Sequence, residues 1–207
     1  MHQPSIEIDL LVDELRTQST TQAPVNAKEL DQKFKILLSP DQVKKDFNEW
    51  IEKLGPVKGH IAVLFIDLDK FKALNTKYTE PRIDQDFLPD AMNLVESFVR
   101  VRGEAAKYGG DEYVLVLPGA DAQRALTVAE EVRLAIEHGV YLSESDVEGR
   151  APLNLTGQFS ASVGVASYRD CEFREEGVVD LDIRRQQLIR IADEAMYRAK
   201  HQGKNQV

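Results

Sequence analysis

Ile61-Ala62-Val63-Leu64-Phe65-Ile66 is an unbroken apolar run that stops at Asp67-Leu68-Asp69. The run is too short for a helix of its own and is rich in β-forming residues. It reads as a strand buried on both faces. Two further β segments, 104–108 and 112–117, flank Gly109-Gly110, a hairpin pattern with glycines where a positive φ is expected. Pro118 ends the second segment.

Helices account for most of the remaining chain. Residues 27–55 read as helical: Ser39-Pro40-Asp41 is a start signal with Pro in the first turn. Phe47, Trp50, Ile51 and Leu54 then recur at helical spacing, and Gly55-Pro56 closes the element. An amphipathic helix is predicted over 84–100, with Phe87, Met92, Val95 and Val99 facing the core. Further helices are predicted over about 121–137 and 186–201, the last ending at Gly203. Residues 158–167 alternate and predict a strand, whereas 139–154 and 170–180 read as irregular connections. There is no internal repeat. The order αβαββαβα with a central hairpin predicts an α/β sandwich of the ferredoxin-like kind, a mostly antiparallel sheet flanked by helices.

A chain of 207 residues accommodates one domain and a modest appendage. We divide it into an N-terminal extension, 1–26, and a domain, 27–207. Within the extension, Ile6 to Leu15 is apolar and acidic, suited to docking on a partner or on the domain. Thr17 to Gln22 reads as a linker. The net charge of −9 argues against wrapping a nucleic-acid backbone, although a locally basic site for a small phosphorylated ligand is compatible with it. Cys171 is the only cysteine. No internal disulfide can form, as expected of a cytoplasmic protein, and a thiolate metal site is excluded. Any metal would be held by carboxylates, which suit Mg²⁺ or Mn²⁺. No apolar run approaches the ~20 residues of a membrane span, and the acidic stretch Met1 to Leu10 lacks signal-peptide order. Membrane insertion and export are therefore not expected.

Asp67 closes the buried strand, while Asp111 and Glu112 sit at the hairpin tip. If the two strands are neighbours, three carboxylates converge at one sheet edge and repel one another unless a cation lies among them. One or two divalent ions would resolve this, bridge phosphate oxygens and activate a 3′-hydroxyl for attack on an α-phosphate. Each motif alone is compatible with a solvated turn, and Lys200 and Lys204 are compatible with ordinary helix-end lysines. A helix starting after Asp69 would offer backbone N–H groups to a phosphate.

Several segments, in order, resemble the GGDEF family of diguanylate cyclases. Phe65 to Asn75, FIDLDKFKALN, resembles its first motif, an apolar strand followed by D-x-D-x-F-K-x-x-N. Gly109-Gly110-Asp111-Glu112-Tyr113 is similar to GGDEF with Tyr for Phe. Pro118 stands where the family often has Leu-Pro, Ser160 to Ala166 resembles T-x-S-x-G-V-A, and Ala192 to Lys200 with Gly203-Lys204-Asn205 resembles ADxALYxAKxxGRN. The resemblance implies the palm-type fold of nucleotidyl cyclases and condensation of two GTP to cyclic di-GMP with Mg²⁺ or Mn²⁺. It also implies that Asp67, Asp111 and Glu112 are catalytic. The metal ligands would be Asp67, the Leu68 carbonyl, Asp111 and Glu112. Asn75 and Asp84 would read guanine. The backbone at Phe71 and Lys72, with Lys200 and Lys204, would hold the β- and γ-phosphates. Gly109 and Gly110 would let the hairpin approach the nucleotide. Lys204 for the family's usual Arg keeps the charge and loses the bidentate fork.

Three departures accompany the match. Residues 76–83 between Asn75 and Asp84 do not follow the family's pattern. The opening LTGLxNR motif is missing, with Leu37-Leu38-Ser39-Pro40-Asp41 in its neighbourhood. The product-inhibition motif R-x-x-D reads Arg100-Val101-Arg102-Gly103, so only Arg100 remains and feedback inhibition is expected to be weak or lost. The resemblance implies a homodimer, since each domain binds one GTP and the product needs two. A regulatory protein acting through the Ile6 to Leu15 segment is a further expected partner. The alternatives are a cyclase with another product, such as a mixed purine dinucleotide, a binding module that signals through a partner, and an interaction protein without nucleotide.

Overall fold

The apolar run forms β1 (Ile61–Leu68), and every residue of it is buried. In the computed structural model, which describes residues 28–58, 60–100, 103–142, 152, 154–171 and 180–207, β1 lies inside a four-stranded sheet. The other strands are β2 (Glu104–Lys107), β3 (Glu112–Pro118) and β4 (Ala161–Ser167), in the order β2-β3-β1-β4. All three pairings are antiparallel. This is the ferredoxin-like arrangement expected from the element order.

Alternation along β1 supplies two cores. Ala62, Leu64, Ile66 and Leu68 face one, with α2 (Phe71–Tyr78), α3 (Leu88–Val99) and α4 (Ala122–His138) packed on it. Ile61, Val63 and Phe65 face the other, closed by α1 (Pro40–Lys58) and α5 (Leu181–His201). At ~0.8 kcal/mol per buried methylene, this double-sided burial anchors β1 firmly in the domain.

Several predicted boundaries need correction. The helix predicted over 27–55 begins only at Pro40, because the Ser39 hydroxyl accepts from the Gln42 amide at 3.1 Å and caps it. Before it, Asp31 holds a turn: its carboxylate accepts from the amides of Lys33, Phe34 and Ile36. Leu38 then bridges to Ala106 on the sheet edge. At its other end α1 runs through Gly55-Pro56 to Lys58. The predicted 84–100 helix starts earlier, as a turn at Glu80–Arg82 and a π-helical turn at Ile83–Phe87 leading into α3. The last helix starts at Leu181, where Asp180 accepts from the amides of Asp182 and Ile183. The strand predicted from 158 begins at Ala161. The 1–26 extension, with its docking segment and linker, and most of 143–153 and 172–179 lie outside the described residues.

Candidate active site

Asp67 stands opposite Glu112 on β3 and opposite Ser162 on β4. The buried strand and the hairpin are thus neighbours, and Leu68 N–H donates to the Asp111 carbonyl at 3.1 Å. The hairpin is closed by the amides of Tyr108 and Gly109, which donate to the Glu112 carbonyl at 2.9 and 3.2 Å. From below, Lys107 Nζ donates to the carbonyls of Gly109 and Gly110. Neither glycine has a positive φ, contrary to expectation. What Gly109 supplies is space: a Cβ there would lie 2.3 Å from Glu112 Oε2. At Gly110 a Cβ would meet nothing within 4 Å, so that position is open on its outer side.

The carboxylates shift as a group. Burial pushes Asp67 up to about 6; Asp111 and Glu112 add to the rise, and Lys200 opposes it. Burial also raises Asp111 and Glu112, the latter further through Asp111 and Asp193. Lys200 Nζ forms an ion pair with Asp67 Oδ1. The sequence match had placed this lysine on phosphate. The donor set consists of hard oxygens whose mutual repulsion calls for positive charge, and it therefore fits Mg²⁺ or Mn²⁺ in chemistry. Among the described residues, no three Asp, Glu, His or Cys side chains are gathered to hold an ion. At Asp67 the positive charge is the Lys200 ammonium.

Asp69, the second aspartate of the first motif, was assigned no role in the sequence. It is buried and accepts hydrogen bonds from Ser160 and Ser162 hydroxyls, both at 2.8 Å, and from the Asn205 amide at 3.0 Å. It therefore ties β1 to the start of β4 and to the chain beyond α5. Lys204 and Asn205 both have left-handed φ, which folds that segment back; Val163 N–H donates to the Gln206 carbonyl at 2.9 Å. This return brings the Asn205 backbone to Asp69 and the Gln206 backbone to β4.

On the base side, Lys70 at φ 57° turns the chain into α2. The amides of Phe71 and Lys72 are first-turn donors, which no intrahelical carbonyl accepts. Asn75 follows on α2, and its buried Oδ1 has no hydrogen-bond partner among the described residues. Asp84 lies on the π turn and pairs with Lys33 Nζ at 2.6 Å. Neither Lys33 nor Lys107 was legible as a site residue, since each meets its partner through tertiary structure or backbone carbonyls rather than a motif.

Arg100 is exposed and paired with Glu96 at 3.1 Å. Gly103 stands where the family has Asp, and a Cβ there would lie 2.5 Å from the Val116 carbonyl oxygen. The backbone at this point therefore has no room for the missing aspartate. A cleft of about 510 Å³ opens between α1 and α5 beside Tyr108 and Glu112, on the sheet face opposite α2.

Comparison with known proteins agrees with this geometry. Residues 37–206 match the family described as "Diguanylate cyclase, GGDEF domain". Diguanylate cyclase A of Treponema denticola is 30% identical over 157 residues, which is 76% of this chain and 37% of that protein. The chain thus spans well under half of that relative's length. The GGDEF domain of DgcB from Caulobacter crescentus, solved with c-di-GMP, superposes with a TM-score of 0.67 at 21% identity, covering 90% of this chain and 97% of that one. Diguanylate cyclase SiaD of Pseudomonas aeruginosa, solved with its activator SiaC, gives a TM-score of 0.65 at 22% identity, covering 98% of this chain and 67% of that one.

Proposed function

Because the chain belongs to the GGDEF family of diguanylate cyclase domains, we propose that it condenses two GTP into cyclic di-GMP with release of two pyrophosphates. The observation that carries this reading is that Asp67 on β1 stands opposite Glu112, next to Asp111 at the hairpin tip, and pairs with the ammonium of Lys200. Mg²⁺ or Mn²⁺, held by Asp67, Asp111, Glu112 and the Leu68 carbonyl, would supply charge neutralisation at the phosphates and an acidified 3′-hydroxyl.

The chain's own residues do the rest. Asp67 is ionised above about pH 6, so at neutral pH it carries the charge its role requires. Lys200, released from Asp67, joins Lys204 on the β- and γ-phosphates, and the amides of Phe71 and Lys72 donate to the same group. Asn75 and Asp84 accept from the guanine edge, and Gly109 and Gly110 admit the nucleotide close to the hairpin. Two such half-sites face each other in a homodimer, because one domain binds one GTP. Residues 27–207 are the cyclase domain, and the 1–26 extension is where a regulatory protein docks. No helix among the described residues is long and apolar enough to cross a membrane, and we place the protein in the cytoplasm.

A second reading, a GTP-binding module without turnover, is favoured by one observation: among the described residues, no three acidic side chains are gathered around an ion position. Purified protein incubated with Mg²⁺ or Mn²⁺ and each nucleoside triphosphate, with products resolved by mass, decides between the readings. We expect cyclic di-GMP, a rate rising faster than linearly with protein concentration, and activity below about 1% in Asp111→Ala. GTP bound but unconverted would establish the binding module, and a mixed dinucleotide mass would reassign the product.

A further inference from the structure

Lys33 belongs to none of the family motifs, yet its ammonium lies 2.6 Å from Asp84 Oδ2 across 51 positions of sequence. As a stabilising pair this contact contributes little, because Lys33 is 60% exposed and such surface pairs are worth about 0–1 kcal/mol. Its position is nevertheless fixed. The turn that presents Lys33 is held by three amides on the Asp31 carboxylate. It is also anchored to the sheet edge, where Leu38 N–H donates to the Ala105 carbonyl at 3.0 Å and the Leu38 carbonyl accepts from Lys107 N–H at 3.2 Å. The same stretch of β2 carries the Lys107 side chain that supports Gly109 and Gly110. Lys33 is therefore tied to the hairpin and to Asp84 at once.

We propose that Lys33 is a specificity-determining residue that reads the 6-keto oxygen of guanine. The inference rests on the reading that Asp84 and Asn75 face the guanine edge. Asp84 Oδ1 receives no hydrogen bond among the described residues, and Asn75 Oδ1 is buried without a partner. The site thus offers two acceptors without a protein donor among the described residues and, on the other oxygen of the Asp84 carboxylate, one cationic donor. Guanine presents the complementary set: N1–H and the 2-amino group as donors, with O6 next to N1. A base whose N1–H meets Asp84 brings O6 beside the Lys33 ammonium. Adenine inverts this edge. Its 6-amino group would face the ammonium, donor to donor, and its N1 would face the carboxylate, acceptor to acceptor, so neither protein group gains a partner from the base.

Equilibrium binding of GTP and 6-thio-GTP to the full chain tests the assignment, since the thio analogue keeps N1–H and the 2-amino group and weakens only the acceptor at position 6. Wild type is expected to prefer GTP about tenfold, the worth of one charge-assisted hydrogen bond at a half-exposed site. Lys33→Met keeps the side-chain stem and should bind the two nucleotides within about twofold of each other, while Lys33→Arg should retain the preference. Asp84→Asn should weaken both nucleotides alike. A wild type that does not discriminate, or a Lys33→Met variant that discriminates as wild type does, overturns the role of Lys33 alone. Failure of wild type to bind GTP, or of Asp84→Asn to weaken either nucleotide, overturns the guanine-edge reading and this inference with it.

Discussion

Replacing Gly164 with Ala adds one methyl group at the tightest contact between sheet and helix. Gly164 lies on β4 opposite Phe65 of β1, with α5 passing directly over it. A Cβ built there falls 1.9 Å from the Ala192 carbonyl oxygen, 2.2 Å from the Met196 nitrogen and 3.0 Å from the Ala192 carbonyl carbon. Ordinary contacts between heavy atoms lie near 3.5 Å, so helix and strand must separate by more than about 1 Å. The obstructing atoms belong to the helix backbone, and no rotamer change can relieve them. Retreat of α5 loosens the contacts of Leu188, Ala192 and Met196 with the core. Overpacking typically costs about 1–3 kcal/mol; with backbone on both sides we expect about 3 kcal/mol. For a chain of this size that lowers Tm by roughly 6–12 °C, measured by circular dichroism. The same movement carries Lys200 away from Asp67, so GTP affinity in the folded variant should also fall. A Tm within about 2 °C of wild type would show that the α5–β4 approach is not the constraint described here.

Tyr113 is fully buried and its hydroxyl has no hydrogen-bond partner among the described residues. Tyr113→Phe, which restores the family's residue, should stabilise the fold by about 1 kcal/mol and raise Tm by a few degrees in a thermal melt. Burial raises the Glu104 carboxyl to about 7 despite the ion pair with Lys28. Because the folded value lies above the unfolded one, the stability Glu104 contributes is full below about pH 4.5 and lost as pH rises through 7. Urea midpoints of Glu104→Gln against wild type should therefore favour the variant increasingly from pH 5 to pH 8, by up to about 3 kcal/mol; a difference constant with pH would contradict this. Arg100 has lost its aspartate partner, so calorimetric titration should detect no tight cyclic di-GMP binding there. A tight site abolished by Arg100→Ala would sink that expectation.

What the sequence made legible was whatever rests on local pattern or on a contiguous motif. The run 61–66 predicted β1 because burial on both faces needs an unbroken apolar stretch, and the hairpin followed from glycines between two β segments. That β1 and the hairpin strand would be neighbours, with Asp67 opposite Glu112, is what the register shows. Non-local contacts were less visible. Leu38 is held on the sheet edge by Ala105 and Lys107, which stopped the helix predicted from residue 27. Asp69 carried no role in the sequence beyond its place in the first motif, because its partners Ser160, Ser162 and Asn205 come from distant segments. The π turn at Ile83–Phe87 has the same apolar spacing as an α-helix over so short a stretch, and nothing in its composition marks the extra residue.

The placement of β1 has a consequence for how such a domain diverges. Asp67 ends a strand laddered on both edges and covered on both faces, so the backbone under it can be disturbed only by opening the sheet as a whole. Asp84 and Lys33 hang instead on a short π turn and an Asp31-held turn at the periphery. The peripheral pair can change one residue at a time at small cost in stability. Changes beneath Asp67 meet the full cooperativity of the fold. Substitutions are thus expected to cost more stability at Asp67 than at Asp84 or Lys33.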